Sequence, residues 1–229
     1  MTLPLVIAHR GASSIELENT LAAFRAAAGE GADAVELDVH ATLDGELVVH
    51  HDPSILGLPI AQARWQDLAA MRLPNGESMP TLGEALEVIS PLKVFVEVKV
   101  LDPRWDERLL ETLDRGPNPT GYAVHSFGFH VVRRLAEKRP TLPCGILSEV
   151  ETRSPKQTLE DAKATTLWQE RGTLDELLIR TVHGLGATII AWTVDDPSEM
   201  ERLLRLGADG ICTNHPERAR RVVDAARPA

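Results

Sequence analysis

Short apolar, β-branched runs alternate with helix-period stretches along the whole chain. Residues 5–8 read as a first strand. Glu18-Asn19-Thr20 then opens a helix that runs to Ala28, and Gly29 and Gly31 bracket its end. Residues 34–40 form a second strand, and a turn at Asp44-Gly45 leads to a short extension over 47–49, just before His51. Residues 52–80 carry little periodicity and predict a loop excursion with one short helix over 65–71. Thr81 caps a helix through Ile89, with Glu84 at the capping-box position. A third strand over 94–100 precedes a helix over 105–113. Further strands are predicted over 122–127, 145–148, 165–169, 188–194 and 210–213. Helices over 130–138, 158–164, 174–185, 197–206 and 216–226 separate or follow them.

These segments make about eight strand-then-helix units in 229 residues, near the usual length of about 250 for a (β/α)8 TIM barrel. An open doubly wound sheet is the competing α/β architecture, but its first turn should carry a glycine-rich phosphate loop. Here that turn is His9-Arg10-Gly11-Ala12, so the barrel is the expected fold. No composition break divides the chain, which predicts a single domain over 1–229.

Four polar clusters close apolar runs in the first hundred residues: His9-Arg10-Gly11, Glu36-Leu37-Asp38, His51-Asp52 and Glu97-Val98-Lys99. Charged groups at the end of a buried strand are costly unless they pair or bind something. Strand alternation puts Glu36, Asp38 and His40 on one face, Phe95, Glu97 and Lys99 on another, and Leu5, Ile7 and His9 on a third. In a barrel those faces point inward and turn polar toward the C-terminal rim, where barrel enzymes place their chemistry. Glu36, Asp38 and Glu97 would repel one another there unless protonated or neutralised. All-oxygen ligands suit Mg2+ or Ca2+. Glu36 and Asp38 alone fit a salt-bridge network with Arg10 and Lys99 equally well; Glu97 on the adjacent strand tips the reading to a metal.

Of eight histidines, His9 and His51 fall beside this cluster and suit an acid–base pair. No chemistry is assigned to His40, His50, His125, His130 or His215, and His183 reads as a packing or surface residue. Arg10 and Lys99 would offer fixed positive charge to a phosphate. Trp192, closing the seventh strand, can wall a substrate or simply pack in the core. The run Asp209-Gly210 to Thr213-Asn214-His215-Pro216 reads as a turn, a short strand and a capped helix start.

The net charge of −10 argues against general nucleic-acid binding, while a local basic spot could still take an anionic small molecule. Cys144 and Cys212 lack metal-ligand spacing and read as buried small hydrophobes in a reducing compartment. The start Met1-Thr2-Leu3-Pro4 shows no signal-peptide pattern and no apolar run is long enough for a membrane span, so a cytoplasmic location is expected.

In order along the chain stand HRG (9–11), ENT (18–20), GAD (31–33), ELDV (36–39), DG (44–45), HD (51–52), PTL (80–82), EVK (97–99), WT (192–193) and DGI (209–211). This ordered set resembles the glycerophosphodiester phosphodiesterase family over nearly the whole chain, in its compact cytoplasmic form. The resemblance implies a TIM barrel and a divalent ion, Mg2+ or Ca2+, on Glu36, Asp38 and Glu97. It implies His9 and His51 as the acid–base pair, read with His51 as acid on the leaving alcohol and His9 as base, or the reverse, with Arg10 and Lys99 on phosphate and Trp192 on the glycerol side. The implied reaction gives glycerol 3-phosphate and an alcohol from a small glycerophosphodiester, by attack of the glycerol 2-hydroxyl on phosphorus and hydrolysis of a cyclic phosphate. No nucleic acid and no stable membrane anchor are expected as partners. Two departures stand out: Thr213-Asn214 replaces the usual Thr-Asp, read as altering a helix cap rather than the chemistry. The segment after His51-Asp52 is short and lacks the common Arg-Thr pattern, which leaves leaving-group selectivity open. Other readings are a phospholipase-like enzyme on intact lipid and a non-catalytic barrel that binds a phosphometabolite.

Overall fold

The computed structural model describes residues 3–226, so the first two residues and the last three of the expected domain lie outside the described residues. Eight parallel strands follow in chain order: β1 (Leu5–His9), β2 (Ala34–Ala41), β3 (Lys93–Val98), β4 (Tyr122–Ser126), β5 (Cys144–Ser148), β6 (Thr166–Glu170), β7 (Thr188–Trp192) and β8 (Gly210–Thr213). Each pairs with the next, and β8 pairs back onto β1, so the sheet closes. With helices between successive strands, this is the expected (β/α)8 barrel and not an open sheet.

Alternation along the strands builds two cores. Val35, Leu37 and Val39 of β2, and Val94, Val96 and Val98 of β3, face outward into a layer shared with Leu82, Leu86 and Leu109 of the surrounding helices. Each such side chain, fully buried, contributes roughly 1.5–3 kcal/mol. The opposite faces fill the barrel, with Ile7, Ala34, Leu147, Trp168, Ile190 and Cys212 packed together. Trp168 fits because β5 carries Gly145 beside it; a Cβ there would come within 2.9 Å of the indole. Cys144 sits in the outer layer and Cys212 inside the barrel, both buried and free.

Between β2 and β3 the chain makes its excursion. Leu47–Val49 returns antiparallel on the end of β2, with Val39 opposite Val49. A hairpin of Ser54–Ile55 and Leu58–Pro59 and a helix over Trp65–Ala69 follow, around a small core that includes Val48, Ile60, Leu68 and Met79. The helix Leu82–Ile89 carries the expected capping box of Thr81 and Glu84. The third strand stops at Val98, short of the expected Val100, so Lys99 lies in the first turn beyond the strand. Among the described residues, no helix is long and apolar enough to cross a membrane.

Candidate active site

The C-terminal ends of β1, β2 and β3 bring four of the five charged residues singled out in the sequence into direct contact. Asp38 is fully buried and lies between two cations. Lys99 Nζ is 2.7 Å from its Oδ1 and Arg10 Nε is 3.1 Å from its Oδ2. The Asn19 side chain also donates to Oδ2 at 2.7 Å. Burial pushes the Asp38 carboxyl upward, but Lys99, Arg10 and Asn19 outweigh it and hold the group below the ordinary aspartate value. Lys99 Nζ also lies 2.7 Å from Glu97 Oε1, and the Arg10 amide donates to Glu36 Oε2 at 3.1 Å. The fifth charged residue, Glu36, is therefore held by a backbone group, while the Arg10 side chain turns to Asp38 and to Glu18, 2.9 Å away.

The loop after β1 makes these contacts possible. Arg10 and Asn19 both adopt left-handed backbone, at φ of 57° and 56°, and the Asn19 amide donates to the Arg10 carbonyl. Gly11 follows at φ 84° with its α-carbon against the helix Leu21–Gly29; a Cβ there would meet Ala23 backbone at 2.7 Å. Non-glycine residues held in this region mark strain that surrounding contacts must offset, and such strain gathers at functional sites.

Glu36 and Glu97 differ from Asp38. Burial, with Asp38 and Glu97 close by, raises the Glu36 carboxyl well above the usual carboxylate range. Burial likewise lifts Glu97 to about 7, in spite of Lys99. The structure adds a residue to which the sequence reading gave no chemistry, His125. It stands opposite Glu97 in the β3–β4 register, buried, with its ring stacked on Trp168 at 4.2 Å and 10°. Its Nε2 faces Glu36 Oε1 at 3.8 Å, and its Nδ1 has no hydrogen-bond partner among the described residues. Burial depresses its pKa to about 3, so the ring is neutral. One ligand atom from each of Glu36, Glu97 and His125 lies within 4.8 Å of the others. Two buried carboxylates that resist ionisation and a neutral imidazole with an unused nitrogen are a donor set that fits a divalent cation. Alternation could have found His125, since it puts residues 123 and 125 inside once the register with Glu97 is known.

The two histidines expected as an acid–base pair have different surroundings. His9, half-buried at the end of β1, has Nδ1 2.8 Å from Asn214 Oδ1. Burial and the neighbouring Arg10 lower its pKa, against the Asn214 bond and the Asp38 charge. His51 is more exposed and pairs through Nδ1 with Asp52 Oδ1 at 2.8 Å. Its loop is fixed to the barrel rim, because the His50 amide donates to the Asp38 carbonyl and His40 Nε2 lies 3.2 Å from the His51 carbonyl. Trp192 ends β7, half-buried, with its ring edge-on to Phe127 at 5.6 Å. His183 is exposed and lies 2.9 Å from Asp209, which precedes β8. Asn214, read as part of a cap, instead reaches the site: the last helix, Pro216–Ala225, has no side-chain cap, and Asn214 bonds His9.

The description "Glycerophosphoryl diester phosphodiesterase family" fits residues 9–218, which is most of the chain. The chain belongs to that family. A glycerophosphodiester phosphodiesterase of Caldanaerobacter subterraneus subsp. tengcongensis is 32% identical over 230 residues, covering 93% of this chain and 95% of the relative. The crystal structure of a glycerophosphodiester phosphodiesterase from Parabacteroides distasonis superposes with a TM-score of 0.88 at 27% identity, covering 96% of this chain and 97% of that one. A phosphodiesterase of Oleispira antarctica, solved in complex with the product sn-glycerol-3-phosphate, superposes at 0.90 with 25% identity and 97% coverage of both chains. As a member of the glycerophosphoryl diester phosphodiesterase family, the chain is a phosphodiester hydrolase.

Proposed function

We propose that the chain hydrolyses water-soluble glycerophosphodiesters to glycerol 3-phosphate and an alcohol, with His9 and His51 moving protons at the C-terminal rim. The observation that carries this reading is the gathering of Arg10, Glu36, Asp38, Glu97 and Lys99 at the barrel end in a chain of this family. The product bound to the Oleispira relative gives the reading its substrate class.

A divalent cation belongs to the proposal. Glu36 and Glu97 would hold it with Asp38 as a third carboxylate, and His125 offers a nitrogen within 4.8 Å of a donor oxygen of each of the two glutamates. When bound, it neutralises phosphate charge and favours ionisation of a nucleophilic hydroxyl. Arg10 and Lys99, fixed by Asp38, present cationic groups to the phosphate oxygens, and Trp192 offers an apolar wall to the glycerol carbons. In the first step the glycerol 2-oxygen bonds phosphorus as the bond to the leaving alcohol breaks. One histidine takes the 2-hydroxyl proton and the other protonates the departing oxygen. Water then opens the cyclic phosphate with the two histidines in exchanged roles, which returns both to their starting states.

A panel of glycerophosphodiesters, assayed for glycerol 3-phosphate with each divalent metal and after EDTA, tests the proposal. Turnover of glycerophosphocholine or glycerophosphoethanolamine that EDTA abolishes is expected. An intact phospholipid belongs in the panel. Ile15, Leu56, Val100, Phe127, Phe129 and Val150 are exposed in segments that follow the first five strands and favour a lipid-directed second reading, which activity confined to micelles would establish.

A further inference from the structure

The hydrogen bonds around His9 distinguish its two ring nitrogens. Asn214 lies one residue past β8, the strand beside β1, where Ala8 pairs with Thr213. Its side-chain Nδ2 donates to Asp195 Oδ2 at 2.8 Å, and its backbone N–H donates to Asp195 Oδ1 at 2.9 Å. The Thr213 hydroxyl also donates to Asp195 Oδ1, at 2.9 Å. A carboxylate only accepts, so the Asn214 amide cannot turn over without setting its oxygen against Asp195. The atom left for His9 is Oδ1, 2.8 Å from Nδ1, and the Ser13 hydroxyl lies 2.9 Å from that same oxygen. An amide oxygen only accepts as well. The bond therefore requires the proton on Nδ1, and a neutral ring then carries its lone pair on Nε2.

We propose that Asp195 and Asn214 are positioning residues that lock His9 in the Nδ1–H tautomer, so that its Nε2 is the nitrogen free to exchange a proton with substrate. The effect on turnover rests on the phosphodiesterase reading; the tautomer lock stands on the hydrogen bonds alone. Arg10 stands next to His9 on the chain, and Asp38 and Glu18 act on the ring from β2 and from the β1 loop. Asn214 is the partner that reaches the ring directly and fixes which nitrogen bears hydrogen.

Ring 15N NMR of histidine-labelled full chain tests the lock without substrate, with the His9 signals identified by their loss in His9→Ala. The expected wild-type spectrum near neutral pH shows His9 Nδ1 protonated and Nε2 bare. Asp195→Asn and Asn214→Leu should each give a tautomer mixture at His9 and leave the His51 signals in place. Both should lower kcat about 10²-fold, the scale of a misplaced acid–base group, with KM within a few-fold. An Nε2–H tautomer in the wild-type protein overturns the proposal, as does an unmixed His9 signal in Asn214→Leu. A chain that turns over no phosphodiester yet shows the bare Nε2 would contradict the proposed function and leave the lock standing.

Discussion

At the residue scale, the three acidic side chains at the rim have different electrostatic states. Asp38 stays ionised because Lys99 and Arg10 flank it, whereas burial pushes Glu36 well up and Glu97 to about 7. A bound cation must displace protons from the last two, so acid should compete with metal. As pH falls below about 7, apparent metal affinity should weaken and binding should release protons, read by calorimetry in buffers of different ionisation heat. The neutral His125 contributes nothing to that slope, since its ring gains a proton only near pH 3. Its effect should be on metal choice. A nitrogen donor favours Mn2+ or Co2+ over Mg2+ and Ca2+, so His125→Ser should narrow the affinity gap between Mn2+ and Mg2+ in the same titrations. An unchanged gap would remove His125 from the donor set. The acidic and basic residues of this site were legible because each closes an apolar run. His125 and Asn214 were not, because their partners come from neighbouring strands and the sequence alone does not give the register.

At the scale of elements, the loop from β1 to its helix is the most constrained part of the site. Arg10 and Asn19 hold left-handed backbone, and Gly11 sits where a Cβ would strike Ala23. Gly11→Ala should therefore lose stability by about 1–3 kcal/mol in denaturant unfolding. It should also weaken turnover, because the loop aims Arg10 at Asp38. Stability and activity equal to the parent chain would contradict that account. The barrel strands and most helices were readable to within one or two residues, since outward-facing apolar positions alternate with the interior. The hairpin Ser54–Ile55 and Leu58–Pro59 was not, because two-residue strands carry no alternation to read. The end of β3 moved from Val100 to Val98 because Lys99 leaves the strand to meet Asp38 and Glu97.

At the scale of the whole molecule, the barrel interior runs from apolar to polar. Trp168, Ile7 and Ile190 fill it below, and Glu36, Asp38 and Glu97 line it toward the C-terminal ends of their strands. Closing the sheet through β8 and β1 sets His9 beside Asn214, and pairing β2 with β3 sets Asp38 beside Glu97. Fold and family were legible from the order of short motifs along the chain, whereas the wiring between strands needed the closed barrel. The most direct test of the account is 31P NMR of glycerophosphocholine with the metal-loaded chain and with a His9→Ala, His51→Ala double variant. The account predicts conversion to glycerol 3-phosphate, abolished by EDTA and slowed at least about 10²–10⁴-fold in the double variant. Equal rates from the parent chain and the double variant would contradict it.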